Sequence, residues 1–274
     1  MRAARIRRLA ALAPVALAAV IALAARAAAQ DFTSATLPGP ASSANGFIES
    51  GLPPRHAGPA FDASYARWFG LPELETRAVA CGAGWRLARV AAGFSQTGEP
   101  DLGWSAAGLA CGVARTDGGA GLRAVARRDR SIEPGSAAAA RLDARAGAEV
   151  GWGAWLEAAR GLRLWATVPQ SWSAGVAPPL DRPLEIGGEF ERDGLILWLT
   201  RSAPSGGAEA DHGAGVALRS GSLAAWALVR DRPLRGGVGL VASARRLFVA
   251  AAVESHPELG ETVRLALGLG GAAR

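Results

Sequence analysis

The chain has no lysine: all thirty of its basic residues are arginine, and Asn45 and Tyr65 are its only asparagine and tyrosine. This usage fits a GC-rich coding sequence, so single arginines, alanines and glycines carry less meaning than elsewhere. Histidine and cysteine are also scarce, at three and two residues. Such scarcity leaves little material for a metal centre or a Ser/His/acid site. After the first 29 residues no apolar run is long enough for a membrane helix. Net charge is small as well. Five arginines (Arg2, Arg5, Arg7, Arg8 and Arg26) lie in those 29 residues, so the remainder carries a formal charge of +1 rather than +6. A near-neutral chain gives no reason to expect a nucleic-acid partner.

The amino terminus reads as a secretory signal peptide over residues 1–29. A basic start precedes an apolar stretch from Leu9 to Ala24, and Ala27-Ala28-Ala29 stand before Gln30 as the cleavage site. The other reading, a membrane anchor, would need a longer apolar run. Residues 30–75 differ in texture. From Asp31 to Pro59 the chain is rich in Pro, Gly, Ser and Ala with no sustained period, which predicts an extended arm. Tyr65, Trp68, Phe69 and Leu71 then cluster within Phe61 to Leu74, and Asp62-Ala63-Ser64 could cap a short helix there. That helix is either a plug closing one end of the fold or an element packed under a sheet.

What is abundant is alternation. From Arg141 to Glu157 every second residue is apolar: Leu142, Ala144, Ala146, Ala148, Val150, Trp152, Ala154 and Leu156. The intervening positions carry Arg141, Asp143, Arg145, Glu149 and Glu157. Side chains switch faces at every strand residue, so one face is apolar and the other charged. As a strand this stretch would run roughly 55 Å, more than a soluble sandwich needs and what a tilted outer-membrane strand uses. The two-faced pattern recurs down to Val263–Leu269. Tight turns (Arg86-Leu87, Arg160-Gly161, Asp193-Gly194, Gly221-Ser222, Arg245-Arg246) alternate with longer Pro- or Gly-rich connections, as in a barrel whose two rims differ. The expected fold is therefore all-β: an antiparallel up-and-down transmembrane β-barrel over residues 76–271, with an N-terminal arm or plug. It should have about twelve strands, within about two either way.

Parity nominates the residues that line the lumen. They are Arg123, Arg127, Arg141, Asp143, Arg145, Glu149, Glu157, Arg163, Glu185, Glu189, Glu191, Arg230, Glu254, His256 and Arg264. Trp165, Trp198 and Trp226 join them. Each follows a tight turn and stands three residues after a leucine, in Leu162-Arg163-Leu164-Trp165, Leu195-Ile196-Leu197-Trp198 and Leu223-Ala224-Ala225-Trp226, hence on the face opposite that leucine. Charges of both signs in a narrow barrel pair internally and block flow; in a wide one they line a water-filled pore.

Chemistry is thin. His256 lies in Glu254-Ser255-His256-Pro257-Glu258-Leu259-Gly260-Glu261, where solvated hairpin charge explains the cluster as well as a metal or general base would. Ser255 cannot form a dyad with its strand neighbour. Asp117-Gly118-Gly119-Ala120-Gly121 precedes no helix pattern or phosphate-binding lysine, so it is no nucleotide loop. Cys81 and Cys111 could bridge across one long hairpin. If Arg86-Leu87 is a turn they stand about 9.6 Å apart, too far for a disulfide, and become buried or lipid-facing thiols.

In its alternating strands, its early Arg67-Trp68-Phe69-Gly70-Leu71-Pro72 segment and its late Ser255–Gly260 hairpin, the chain resembles bacterial outer-membrane β-barrels over roughly Arg67 to Gly271. In texture it is similar to barrels of the fatty-acid-transporter and PorV-like kind. The resemblance implies outer-membrane lipid as surroundings and a small hydrophilic or lipidic solute as cargo. None of these segments is a catalytic motif, so no catalytic, cofactor-binding or metal residue is expected. The expected function is non-enzymatic: passive transport, or a structural place in an envelope system. The alternatives are a soluble periplasmic β-sheet binding protein and a barrel-embedded lipid-modifying enzyme. One departure stands out: many such barrels end on an aromatic residue, whereas this chain ends Gly270-Gly271-Ala272-Ala273-Arg274.

Overall fold

The computed structural model describes residues 43–98, 103–132, 142–175, 184–203, 209–232 and 234–270. The signal peptide and the first part of the arm, residues 30–42, fall outside the described residues. The strands are β1 (Pro59–Arg67), β2 (Glu75–Trp85), β3 (Ala88–Gly98), β4 (Gly103–Ala114), β5 (Gly118–Ile132), β6 (Leu142–Ala159) and β7 (Leu162–Gly175), then β8 (Leu184–Arg192), β9 (Leu195–Ala203), β10 (Asp211–Ser220), β11 (Leu223–Asp231), β12 (Leu234–Ala244), β13 (Leu247–His256) and β14 (Gly260–Leu269). Each pairs antiparallel with its sequence neighbour, and β1 pairs with β14 to close the barrel. Closure gives every described strand a partner on both sides, as a bilayer demands.

The strand number is fourteen, not about twelve. The barrel also begins at Pro59 rather than at residue 76. The stretch expected to hold an aromatic helix is β1, followed by two short 3-10 turns, Trp68–Gly70 and Pro72–Leu74, that lead into β2. No helix follows Asp62-Ala63-Ser64, which lie within β1. Both carboxylate oxygens of Asp62 accept backbone N–H bonds from Ala44 and Asn45, each 2.9 Å. They thus cap α1 (Ala44–Ser50), a helix in the part of the arm that showed no period.

The alternating stretch that dominates the sequence is β6, eighteen residues long. Its register with β7 slips between Val150 and Trp152 and between Glu157 and Ala159, the mark of β-bulges. Among the hairpins, Asp193 (φ 52) and Gly194 (φ 83) are both left-handed, the type I′ geometry that an Asp-Gly pair favours.

The wall has two faces throughout. Most of the wall's large aliphatic side chains and several phenylalanines point outward and stay exposed, among them Leu199, Leu218, Leu240, Val238, Leu265 and Phe94. The thiols of Cys81 and Cys111 are free and also exposed on this outer surface, on β2 and β4 with β3 between them. Inside, aromatic rings lie against glycines of the neighbouring strand. A Cβ at Gly187, Gly215, Gly239 or Gly268 would collide with the ring of Trp165, Trp198, Trp226 or Phe248 respectively. These rings, with Trp155 and Leu52, form one apolar cluster near the tight-turn end. Gly215→Val should therefore cost about 1–3 kcal/mol through overpacking. The added atoms would meet both the Trp198 ring and, 2.8 Å away, the Ala227 carbonyl oxygen. A lower urea midpoint, followed by tryptophan fluorescence of the micelle-folded barrel, is the expected result.

Candidate functional site: the barrel interior

The segment from Ser43 to Gly58 lies inside the barrel. Ser43 caps α1 by accepting from the Gly46 N–H at 3.0 Å. Gly51, at φ 74, ends it with an N–H bond to the Phe47 carbonyl at 2.9 Å. A helix of seven residues is far too short to be stable alone, so its surroundings must hold it. Phe47 and Ile48 are fully buried among Ala78, Ala80, Ala91, Ala106, Ala110 and Val125, small residues of β2–β5 that leave room for the helix. Beyond the helix the backbone rests directly on glycines of β5 and β6. A Cβ at Gly121 would lie 2.7 Å from the Gly51 oxygen, and one at Gly153 would lie 2.8 Å from the Ser50 oxygen. The Trp155 indole donates to the Pro53 carbonyl at 3.0 Å. Arg89 donates to the carbonyls of Pro54 and Arg55 at 2.9 and 3.0 Å.

Three groups of charge line the wall. In the first, Arg123 and Arg127 of β5 share Glu149 of β6, at 2.7 and 2.6 Å, and all three side chains are buried. Arg123 also donates to the Ile48 carbonyl of α1 at 2.6 Å and to the Pro169 carbonyl of β7. In the second group, towards the tight turns, Arg163 pairs with Glu189 and Glu191, Arg219 with Glu191 at 3.0 Å, and Arg55 with Glu157 at 3.3 Å. The third lies at the opposite mouth, along β8 to β14. Arg230 bridges Glu185 (3.3 Å) and Asp211 (3.2 Å), Arg235 joins Asp211 (2.6 Å) to Glu254 (3.8 Å), and Arg264 joins Glu254 (3.3 Å) to the ring of Trp68, 5.1 Å from its centroid.

The residues nominated by parity fall as follows. Arg123, Arg127, Glu149, Glu157, Arg163, Glu185, Glu189, Glu191, Arg230, Glu254 and Arg264 stand in these three groups. Trp165, Trp198 and Trp226 are buried in the aromatic layer. The His256 Nδ1 accepts from the backbone N–H groups of Glu258 and Leu259, at 3.3 and 3.2 Å, and so closes its own hairpin. Arg141 lies outside the described residues. Asp143 and Arg145 lie on β6 opposite Ser131 and Asp129. Among the described residues no three His, Cys, Asp or Glu side chains gather as metal ligands.

Sequence reasoning missed Asp62, Arg55, Arg89, Asp211, Arg219, Arg235, Trp68 and Phe248. For Asp211, Arg219, Arg235 and Phe248, extending the two-residue period from their strands would have found them. Asp62 alternates with Phe61 and Ala63 on β1 and could have been found the same way, whereas Arg55 carries no such signal, because its role depends on a segment folded back into the lumen.

A closed fourteen-stranded barrel, apolar outside, charged inside and partly filled by its own N-terminal segment, is thus the class of protein that the fold and interior define. Among solved structures, the outer-membrane protein Omp33 of Acinetobacter baumannii is similar at 8% identity, with a TM-score of 0.49 over 79% of this chain and 99% of that one. A triple mutant of the Rhodopseudomonas blastica porin is similar at 10% identity, with a TM-score of 0.41 over 78% of this chain and 99% of the other. No protein-family model matches the chain, and no curated protein matches its sequence.

Proposed function

We propose that this protein is a non-enzymatic outer-membrane β-barrel for passive movement of small hydrophilic solutes, with Ser43–Gly58 acting as a plug. The observation that carries this reading is the two-faced wall. Large apolar side chains lie exposed on the outside, and the inside carries paired arginine and carboxylate side chains between its buried apolar layers. A soluble periplasmic protein would leave that apolar surface in water, far beyond the few hundred Å² a soluble monomer exposes. A lipidic cargo, the other possibility that the textural resemblance implies, would have to shed its apolar surface against the Glu185–Arg230–Asp211–Arg235 network at the mouth. A hydrated solute fits that lining better. An enzyme reading would need a nucleophile and base that converge. Ser255 instead pairs across the outer wall with Glu261 and Gly236, while His256 caps its own turn.

Fractionation tests the reading. After washing with carbonate or urea the protein should stay in the outer-membrane pellet. Release into the soluble fraction would overturn the barrel reading and restore the periplasmic one.

A further inference from the structure

The wall reaches the main chain of Ser43–Gly58 along the whole length of the segment. At its start, Asp62 of β1 accepts from the Ala44 and Asn45 N–H groups, each at 2.9 Å. In its middle, Arg123 of β5 donates to the Ile48 carbonyl at 2.6 Å. Further on, Trp155 of β6 donates to the Pro53 carbonyl at 3.0 Å, and Arg89 of β3 to the carbonyls of Pro54 and Arg55 at 2.9 and 3.0 Å. At its end the Gly58 carbonyl accepts from the Gly84 N–H of β2 at 2.8 Å. Glycines of the wall clear the path. A Cβ at Gly121 would come within 2.7 Å of the segment's backbone, and one at Gly84 or Gly153 within 2.8 Å.

Main-chain groups are common to every peptide, so these bonds select for a peptide rather than for this sequence. Selection by side chain comes from three apolar anchors. Phe47 and Ile48 are buried in the alanine-lined pocket of β2–β5, and Leu52 in the aromatic layer. Between them Gly51 turns the chain at φ 74, and a Cβ there would lie 2.9 Å from the Gly153 nitrogen. The Arg55–Glu157 pair, at 3.3 Å and with both side chains a quarter or more exposed, adds little. A seven-residue helix does not hold its own shape, so the segment takes its form against the wall, as a peptide ligand does on binding. The covalent link into β1 supplies nearness, an effective concentration on the order of millimolar, rather than contacts.

We infer that the inner face of β1–β6 is a peptide-binding site, filled in cis by Ser43–Gly58 and open in trans to a free peptide of the same pattern once the tethered copy is loosened. The ligand is a short peptide read through its main chain. It carries two adjacent apolar side chains, a glycine three residues after the second, and an apolar residue directly after that glycine. The site rests on the plug reading of this segment. Within the passive-transport reading, peptides are then the hydrophilic solutes that compete with the plug for the wall.

Full mature chain carrying F47S/I48S, folded in micelles, tests it. The two substitutions take the tethered anchors out of the apolar pocket and leave every wall residue in place. A dye-labelled synthetic peptide of the natural Ser43–Gly58 sequence should bind this chain saturably, as read by fluorescence anisotropy. The unaltered chain should bind it about tenfold more weakly or worse, since its own copy holds the site. Methylating the peptide's Ala44 and Asn45 main-chain nitrogens removes both donors to Asp62 and should weaken binding by about tenfold or more. Should F47S/I48S fold poorly, G51L takes its place, because the leucine drives the segment's own turn against Gly153. Absence of saturable binding would overturn the site. So would equal binding by the unaltered chain, or equal affinity of the methylated peptide. Failure in a chain that stays in the pellet after carbonate sinks the site alone; release by carbonate sinks the barrel reading itself.

Discussion

Deleting residues 30–57 behind an intact signal peptide should convert a poorly conducting barrel into an open one, with a severalfold rise in single-channel conductance in planar bilayers. Fourteen strands at about 4.8 Å spacing and roughly 40° tilt enclose a cylinder about 28 Å across between backbones. Eight strands make a barrel that side chains alone can fill. Fourteen leave a gap, and Ser43–Gly58 packs into it with a helix about 10 Å across. The barrel itself begins at Pro59 and makes its closing ladder between β1 and β14 without the segment. The deleted chain should therefore still fold and still resist carbonate. Loss of the Asp62 contacts with Ala44 and Asn45 and of the Phe47 and Ile48 burial removes what holds the segment, not what holds the wall. Gly153→Leu should act in the same direction with a smaller step, since the new side chain occupies the place of the Ser50 and Gly51 backbone. A folded deletion variant whose conductance matches the full chain would end the plug assignment.

Much of the wall was legible before any coordinates because a strand needs only two residues to declare its faces. Parity put Arg123, Arg163, Glu189 and Trp198 on one side and Leu122, Leu164, Phe190 and Leu197 on the other, the sides they occupy. Register was not legible. Nothing in the sequence states that Glu149 lies between Arg123 and Arg127, or that Arg235 stands between Asp211 and Glu254, because these pairs depend on strand stagger and side-chain reach. The helix was invisible for a different reason. Seven residues are too few for a 3.6-residue period to emerge, and the stability of α1 comes from caps and from surroundings far away in sequence. Asp62 shows the limit well. The helix expected after it is a strand, and its carboxylate instead accepts from two N–H groups seventeen and eighteen residues upstream. The alternation of Phe61, Ala63 and Tyr65 with Asp62 and Ser64 was there to be read as a strand, and the aromatic cluster beside it obscured it.

Glu149→Ala should be the most damaging single substitution in the barrel wall, lowering stability by about 3–5 kcal/mol. Glu149, at 1% exposure, is the carboxylate shared by two buried guanidinium groups, Arg123 and Arg127, each within 2.7 Å. Removing it strips the shared counter-charge while both cations stay out of water, and burial of charge is costly unless paired. Glu149→Gln keeps an acceptor oxygen but not the charge, so it should fall between wild type and alanine. Replacing all three with leucine should cost less than Glu149→Ala alone, since the charges then leave together and well-packed apolar groups replace buried ion pairs at little penalty. The triple variant has a second effect that alanine at Glu149 lacks. It removes the Arg123 bonds to the Ile48 and Pro169 carbonyls, which tie α1 and β7 to the wall beside the register slip between β6 and β7. Urea unfolding in micelles should therefore rank Glu149→Ala least stable, while bilayer recordings should rank the triple variant more conductive than Glu149→Gln. If Glu149→Ala unfolds at the wild-type midpoint, the buried charges are solvated in a way that the arrangement of β5 and β6 does not provide. The assignment of this cluster as the wall's main internal brace would then be wrong.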